Sequence, residues 1–214
     1  MKLNIPPLSP EDIAEKVAEV KRLDGEDSTL FLPPVDILHI VEILYQMDVI
    51  PFPGLLEKFR VDAMLMCDFS GLYIDTAEYN SLEDPERKNN RRLRMTLAHE
   101  LGHLVLHRKY VEPYVESLET IDEYKNMALR HYKYLGYAEW QAMEFAGQLM
   151  VPEDVLTVVF NQMYPSAIDG HDLTNPTDHE ATRSELCREI GYKFDVNEGV
   201  VSRRLDILGL WPIE

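Results

Sequence analysis

In the run Arg94-Met95-Thr96-Leu97-Ala98-His99-Glu100-Leu101-Gly102-His103-Leu104-Val105-Leu106-His107, two histidines stand four residues apart with a glutamate beside the first. On an α-helix, residues i and i+4 carry side chains about 5 to 6 Å apart, so His99 and His103 can both reach one ion at the roughly 2.0–2.1 Å of a zinc–nitrogen bond. Glu100 then stands beside the ion's open position, where a carboxylate can accept a proton from water. H-E-x-x-H is thus a pattern for metal-assisted hydrolysis: two imidazoles for the metal and one general base. Apolar residues occupy most of the remaining circumference, which predicts a buried helix interrupted by one polar stripe. Buried imidazoles need partners, and a metal ion supplies one.

A catalytic zinc takes three protein ligands and a water, so a third ligand must come from elsewhere. His107 cannot provide it on a continuous helix, because eight residues of rise separate it from His99 by about 12 Å. The spacing also lacks the glycine turn that would fold a further histidine back onto the ion. Glu139 begins a helical stripe continued by Ala142, Met143, Ala146 and Met150, so it is expected to face the core. An unpaired carboxylate there would be costly, and metal ligation compensates it. Glu144, on another face of the same helix, is the reserve candidate. Gly102 inside the histidine helix costs about 1 kcal/mol against alanine, which points to the close approach of a strand, a substrate backbone or a tightly packed neighbour.

The elements that must position these residues read as follows. Ser9-Pro10-Glu11-Asp12 gives an N-cap, a first-turn proline and first-turn acids, opening a helix with Ile13, Val17 and Val20 on one face. A second helix is expected from Val35 to about Tyr45. The period then changes: 48–52, 61–67 and 71–75 are short β-prone runs separated by Pro53-Gly54 and Ser70-Gly71, predicting a sheet of about three strands whose last two form a hairpin. Tyr79 to Asn90 reads as a loop before the histidine helix, from about Arg91 to Arg108. Later helices are expected near Glu116–Tyr134, Ala138–Met150 and Glu153–Tyr164. A polar loop from Pro165 to Thr177 leads to two short helices, about Glu180–Lys193 and Asn197–Ile207.

With 38 acidic against 21 basic side chains in 214 residues, the formal net charge is −17. Such a field repels a phosphate backbone, so direct nucleic-acid binding is not expected. The last helices reinforce this, since Glu180 to Glu214 holds seven acids against five Lys or Arg. The first ten residues carry one lysine and two consecutive prolines in place of an apolar run, which predicts neither a leader nor a membrane span. Cys67 and Cys187 lie far apart and outside any C-x-x-C pair, which favours a reducing cytoplasm over a disulfide framework.

The Arg-x-Arg-x-Thr-Leu-Ala-His-Glu-Leu-Gly-His-x-x-Leu-His run from Arg92 to His107 resembles the ImmA/IrrE family of zinc metallopeptidases. So do the Glu-x-x-Ala-x-x-Phe-Ala segment from Glu139 to Ala146, the stretch Leu149 to Pro152, the region Pro34 to Asp75, and the tail around Phe194-Asp195-Val196 and 200–210. Members are bacterial and phage proteins that act on helix-turn-helix repressors. The resemblance implies an α+β fold: a mostly helical zincin-like domain over residues 1–164 with a small three-stranded sheet, and a C-terminal helical, helix-turn-helix-like appendage over 165–214 packed on it. It implies Zn2+ held by His99, His103 and Glu139, Glu100 as the catalytic glutamate, and a helix-turn-helix repressor as the protein substrate; the acidic surface adds the expectation that this repressor is basic. The peptide would lie extended along an edge strand of the sheet. In this chain Met143 stands where the family usually has asparagine or aspartate, and methionine cannot accept a hydrogen bond from a ligand histidine. Met143 gives weight to a rival expectation, a non-proteolytic zinc-containing module that sequesters a repressor or toxin partner.

Overall fold

The computed structural model of the chain describes residues 4–23, 25, 31–66, 68–83, 91–118, 123 and 136–211. The fold is α+β and mostly helical, with one small mixed sheet. Contacts divide it into two compact units, Met1–Leu30 with Asp36–Ala146, and Phe31–Val35 with Gly147–Glu214.

In the first unit, α1 (Pro10–Arg22) opens with a reciprocal cap: the Ser9 hydroxyl accepts the Asp12 N–H and the Asp12 carboxylate accepts the Ser9 N–H. Ile13, Val17 and Val20 are buried along its inner face. The helix expected over Val35–Tyr45 is shorter and changes pitch, with α2 (Ile37–His39) running into a single π-helical turn over Ile40–Leu44. Three strands follow, β1 (Asp48–Phe52), β2 (Ala63–Leu65) and β3 (Gly71–Asp75). β3 is central, parallel to β1 and antiparallel to β2, so the expected hairpin is present and both partners are edge strands.

Two short helices were not legible. α3 (Leu55–Phe59) follows Gly54, which holds φ 73°. α4 (Thr76–Glu83) occupies the start of what reads as a loop from Tyr79. One carboxylate organises both starts: Asp75 accepts the Leu56 N–H and the Ala77 N–H, each at 3.0 Å. Those two backbone bonds hold its pKa below the usual carboxylate range.

α5 (Arg91–Glu116) carries the histidines and runs past Arg108, continuing through Pro113. Arg92 in its first turn grips Asp62 with a two-nitrogen fork at 2.6–3.1 Å, tying the helix start to the residue before β2. Most of the helix expected over Glu116–Tyr134, and Cys67, fall outside the described residues. α6 (Gly136–Met150) comes next. Gly102 receives its explanation here: a Cβ on it would lie 2.9 Å from the carbonyl oxygen of Ala142, 3.1 Å from that residue's Cα and 3.2 Å from the Phe145 ring. The close neighbour is the backbone of α6, and neither a strand nor a substrate.

The second unit contains α7 (Glu153–Ala167), α8 (Pro176–Phe194) and α9 (Glu198–Ile207). α7 continues through Pro165, so the connecting loop is shorter than the sequence suggests. Asn175 caps α8 by accepting the Thr177 N–H. α8 and α9 meet at a turn where Asp195 takes φ 52°, burying Leu186, Ile190, Phe194, Val201 and Leu205. Arg183 locks the pair by donating to Ser202 Oγ at 3.0 Å and to Asp206. Among the described residues, no helix is long and apolar enough to cross a membrane.

For Gly102→Ala, a helix-propensity gain of about 1 kcal/mol opposes an overpacking cost of about 1–3 kcal/mol. The clash is with main chain, which cannot rotate away, so we expect a net loss of about 1–2 kcal/mol in urea unfolding. Unchanged or higher stability would mean that α6 yields without strain.

Candidate metal centre

The four-residue spacing on α5 brings His99 and His103 together with their Nε2 atoms 3.0 Å apart. Glu139, in the first turn of α6, faces this pair, with Oε2 3.3 Å from His99 Nε2 and Oε1 3.4 Å from His103 Nε2. These three residues offer ligand atoms that all lie within 4.8 Å of one another. Ligands about 2.0–2.2 Å from a tetrahedral ion stand about 3.3 Å from each other, so the donor set fits a zinc-sized cation. Electrostatics agree with geometry: two imidazole nitrogens cannot point bare lone pairs at each other at this distance without a proton or a cation between them.

Glu139 is less enclosed than expected, its side chain retaining 40% exposure. Burial opposes its charge, but hydrogen bonds and positive charge from His103 and His99 outweigh that and bring its pKa down to about 2. It is therefore an anion throughout the neutral range. For His99 burial disfavours the charged ring, yet the Glu139 hydrogen bond and the charges of Glu100 and Glu139 outweigh it and raise its proton affinity. The other nitrogen of His99, Nδ1, is buried with no hydrogen-bond partner among the described residues.

Glu100 lies on the sheet side of α5. Its Oε2 accepts the Leu65 N–H of β2 at 3.3 Å. Met66 N–H bonds Gly71 on β3, so by the alternation of an antiparallel ladder the Leu65 amide points off the sheet edge, toward α5. Burial raises the Glu100 pKa, offset in part by His103 and His99 and by the Leu65 amide. A carboxylate with a raised proton affinity beside a metal-sized cluster can receive a proton and hand it on.

His107 does not join the cluster. It is fully buried one turn beyond His103, with the two Nδ1 atoms 3.0 Å apart, and its Nε2 is 3.0 Å from Gln141 Oε1. Burial, followed by the charge of His103, pushes its pKa down to about 4. Glu144 is buried elsewhere on α6 and is not among the converging groups. Met143, expected in the core-facing stripe, is 41% exposed, while its neighbours Ala142 and Ala146 are buried. The helical phase puts Gln141, two residues after Glu139, on the inward side, and the stripe missed it because glutamine does not count as apolar. Tyr132 and Tyr134, shortly before the Glu139 helix in sequence, lie outside the described residues. Tyr137 donates to the Ile5 carbonyl at 2.6 Å.

A helix-borne His-Glu-x-x-His with a glutamate arriving from a second helix, beside the edge of a small sheet, defines a zincin-like metallopeptidase architecture. A family model described as the IrrE N-terminal-like domain, Peptidase M78, matches residues 79–206, and the chain belongs to this ImmA/IrrE family of metallopeptidases. Comparison with curated proteins and with solved structures gave no match.

Elemental analysis of purified protein is expected to give close to one zinc per chain, lost in His99→Ala and in Glu139→Ala but kept in Glu144→Ala. Zinc retained without Glu139, and lost without Glu144, would reverse the assignment of the third ligand.

Proposed function

We propose that this peptidase is a zinc endopeptidase acting in the cytoplasm on a protein, a basic helix-turn-helix repressor, so that cleavage relieves repression in a stress, phage or mobile-element response. The observation that carries the reading is the convergence of His99, His103 and the Glu139 carboxylate, with Glu100 next to them. Zinc, when bound, supplies the Lewis acidity that makes water nucleophilic near neutral pH. His99, His103 and Glu139 would hold it, two neutral donors and one anion.

Glu100 takes the proton of the attacking water and later delivers it to the leaving amine, so it is base first and acid second. Its raised proton affinity suits both roles. The Leu65 amide holds one Glu100 oxygen and limits its rotation. β2 is an edge strand whose Leu65 amide faces this carboxylate, so an extended peptide pairing along it would bring its main chain to the reacting centre. Binding is then governed by backbone pairing, with side-chain preference a secondary matter.

The net charge of −17 favours encounter with a basic partner, a contribution to association rate more than to final affinity. The rival, sequestration without proteolysis, drew its weight from Met143. That side chain lies on the outside of α6, and His107 occupies the place beside His103.

With a purified helix-turn-helix repressor as substrate, Glu100→Gln should lower the cleavage rate by about 10²–10⁴-fold while leaving repressor binding unchanged. Cleavage that survives the substitution would put the base elsewhere, and binding with no cleavage by the zinc-loaded wild type would favour sequestration. Raising salt severalfold should slow cleavage by the wild type, and a rate indifferent to salt would contradict electrostatic steering.

A further inference from the structure

Behind the cluster, a single file of hydrogen bonds leaves His103 in the direction away from Glu139. His103 Nδ1 lies 3.0 Å from His107 Nδ1, His107 Nε2 lies 3.0 Å from Gln141 Oε1, and Gln141 Nε2 donates to the Pro6 carbonyl at 3.0 Å. His103, His107 and Gln141 are each at most 2% exposed, so water does not compete along the file. Its far end is anchored: Ile5 is buried and its carbonyl accepts the Tyr137 hydroxyl, one helical turn before Gln141 on α6.

We propose that Pro6, Gln141 and His107 form a proton-ordered relay that fixes His103 as its Nδ1–H tautomer and thereby aims its Nε2 lone pair at the metal. The order follows from the last acceptor. A proline carbonyl can only accept, so the Gln141 amide must present its NH2 to Pro6 and its oxygen to His107; the flipped amide would set two carbonyl oxygens against each other at Pro6. His107 must then carry its proton on Nε2, which leaves Nδ1 bare as an acceptor. His103 Nδ1 has to donate to it, and the remaining nitrogen, Nε2, is the one facing His99 and Glu139. Every bond in the file has one donor and one acceptor under this single pattern. Reversing it breaks the bond at Pro6.

Gln141 and His107 are therefore positioning residues acting through His103. They supply what Met143 cannot, from a position two residues earlier on α6. The arrangement is also one-sided, since His99 Nδ1 has no such partner among the described residues. Orientation of the histidine pair rests on His103, and a short extended segment near the N-terminus, outside the histidine helix, completes the support.

The inference rests on the zinc reading above, and two readouts keep the two apart. Zinc affinity, measured by chelator competition, should fall about 10–100-fold in His107→Leu and in Gln141→Leu, while His107→Asn, which restores a carbonyl acceptor near the lost Nδ1, should stay within about threefold of wild type. Long-range proton–nitrogen NMR of the zinc-free wild type should show His103 protonated on Nδ1 and His107 on Nε2. Equal zinc affinity in wild type and His107→Leu, or His103 protonated on Nε2 alone, would overturn the relay. If the wild type takes up no zinc, the zinc reading fails, and the tautomers seen by NMR still decide the relay. The same NMR result decides it if the leucine variants do not fold.

Discussion

The arrangement of this protein's chemistry depends on one close approach, that of the backbones of α5 and α6 at Gly102 and Ala142. Glu139 lies one turn before Ala142, and His99 and His103 lie on either side of Gly102 along the helix. With the helices this close, a carboxylate with a short side chain spans the gap to two ring nitrogens at 3.3 and 3.4 Å. The same contact brings Gln141 against His107, so the metal-facing and rear-facing halves of the centre share one packing constraint. Asp62 with Arg92 ties the sheet to the start of α5, and Asp75 joins the end of β3 to the starts of α3 and α4.

Some of this was legible and some was not. Helical periodicity places His99 beside His103 and excludes His107 from the ion, because both statements need only the rise and twist of a continuous helix. Gly102 announces a close approach, but a glycine carries no information about what approaches it. The stripe through Glu139 correctly identifies Ala142 and Ala146 as inward, yet puts Met143 with them and passes over Gln141. A stripe defined by apolar residues ranks methionine above glutamine, whereas here the buried amide is satisfied at both ends and the thioether faces outward. The sheet was legible from its turn residues; α3 was not, because its capping carboxylate, Asp75, is distant in sequence from Leu56, and α4 was not, because its polar composition reads as loop although Asp75 caps it locally. The π-helical turn at Ile40–Leu44 left no signal in apolar spacing, which tolerates one extra residue per turn.

The centre combines groups whose proton affinities diverge within a small volume. Glu139 is held ionised by two imidazoles, Glu100 is pushed toward its protonated form by burial, and His107 is kept neutral by burial and its neighbour. On the proposed reading, such divergence would divide the work: one carboxylate to bind, the other to move protons, and the third histidine to transmit orientation without charge. The outer surface contributes separately, through a net charge of −17 that no part of this cluster requires.

The central claim is that two imidazoles and one carboxylate, and no further protein group, make up the metal's coordination. Zinc K-edge X-ray absorption on the zinc-loaded protein tests it directly. The account predicts a shell of nitrogen and oxygen at about 2.0 Å with multiple-scattering features of two imidazoles. A third imidazole, as His107 would contribute, or a sulfur shell at about 2.3 Å would contradict it.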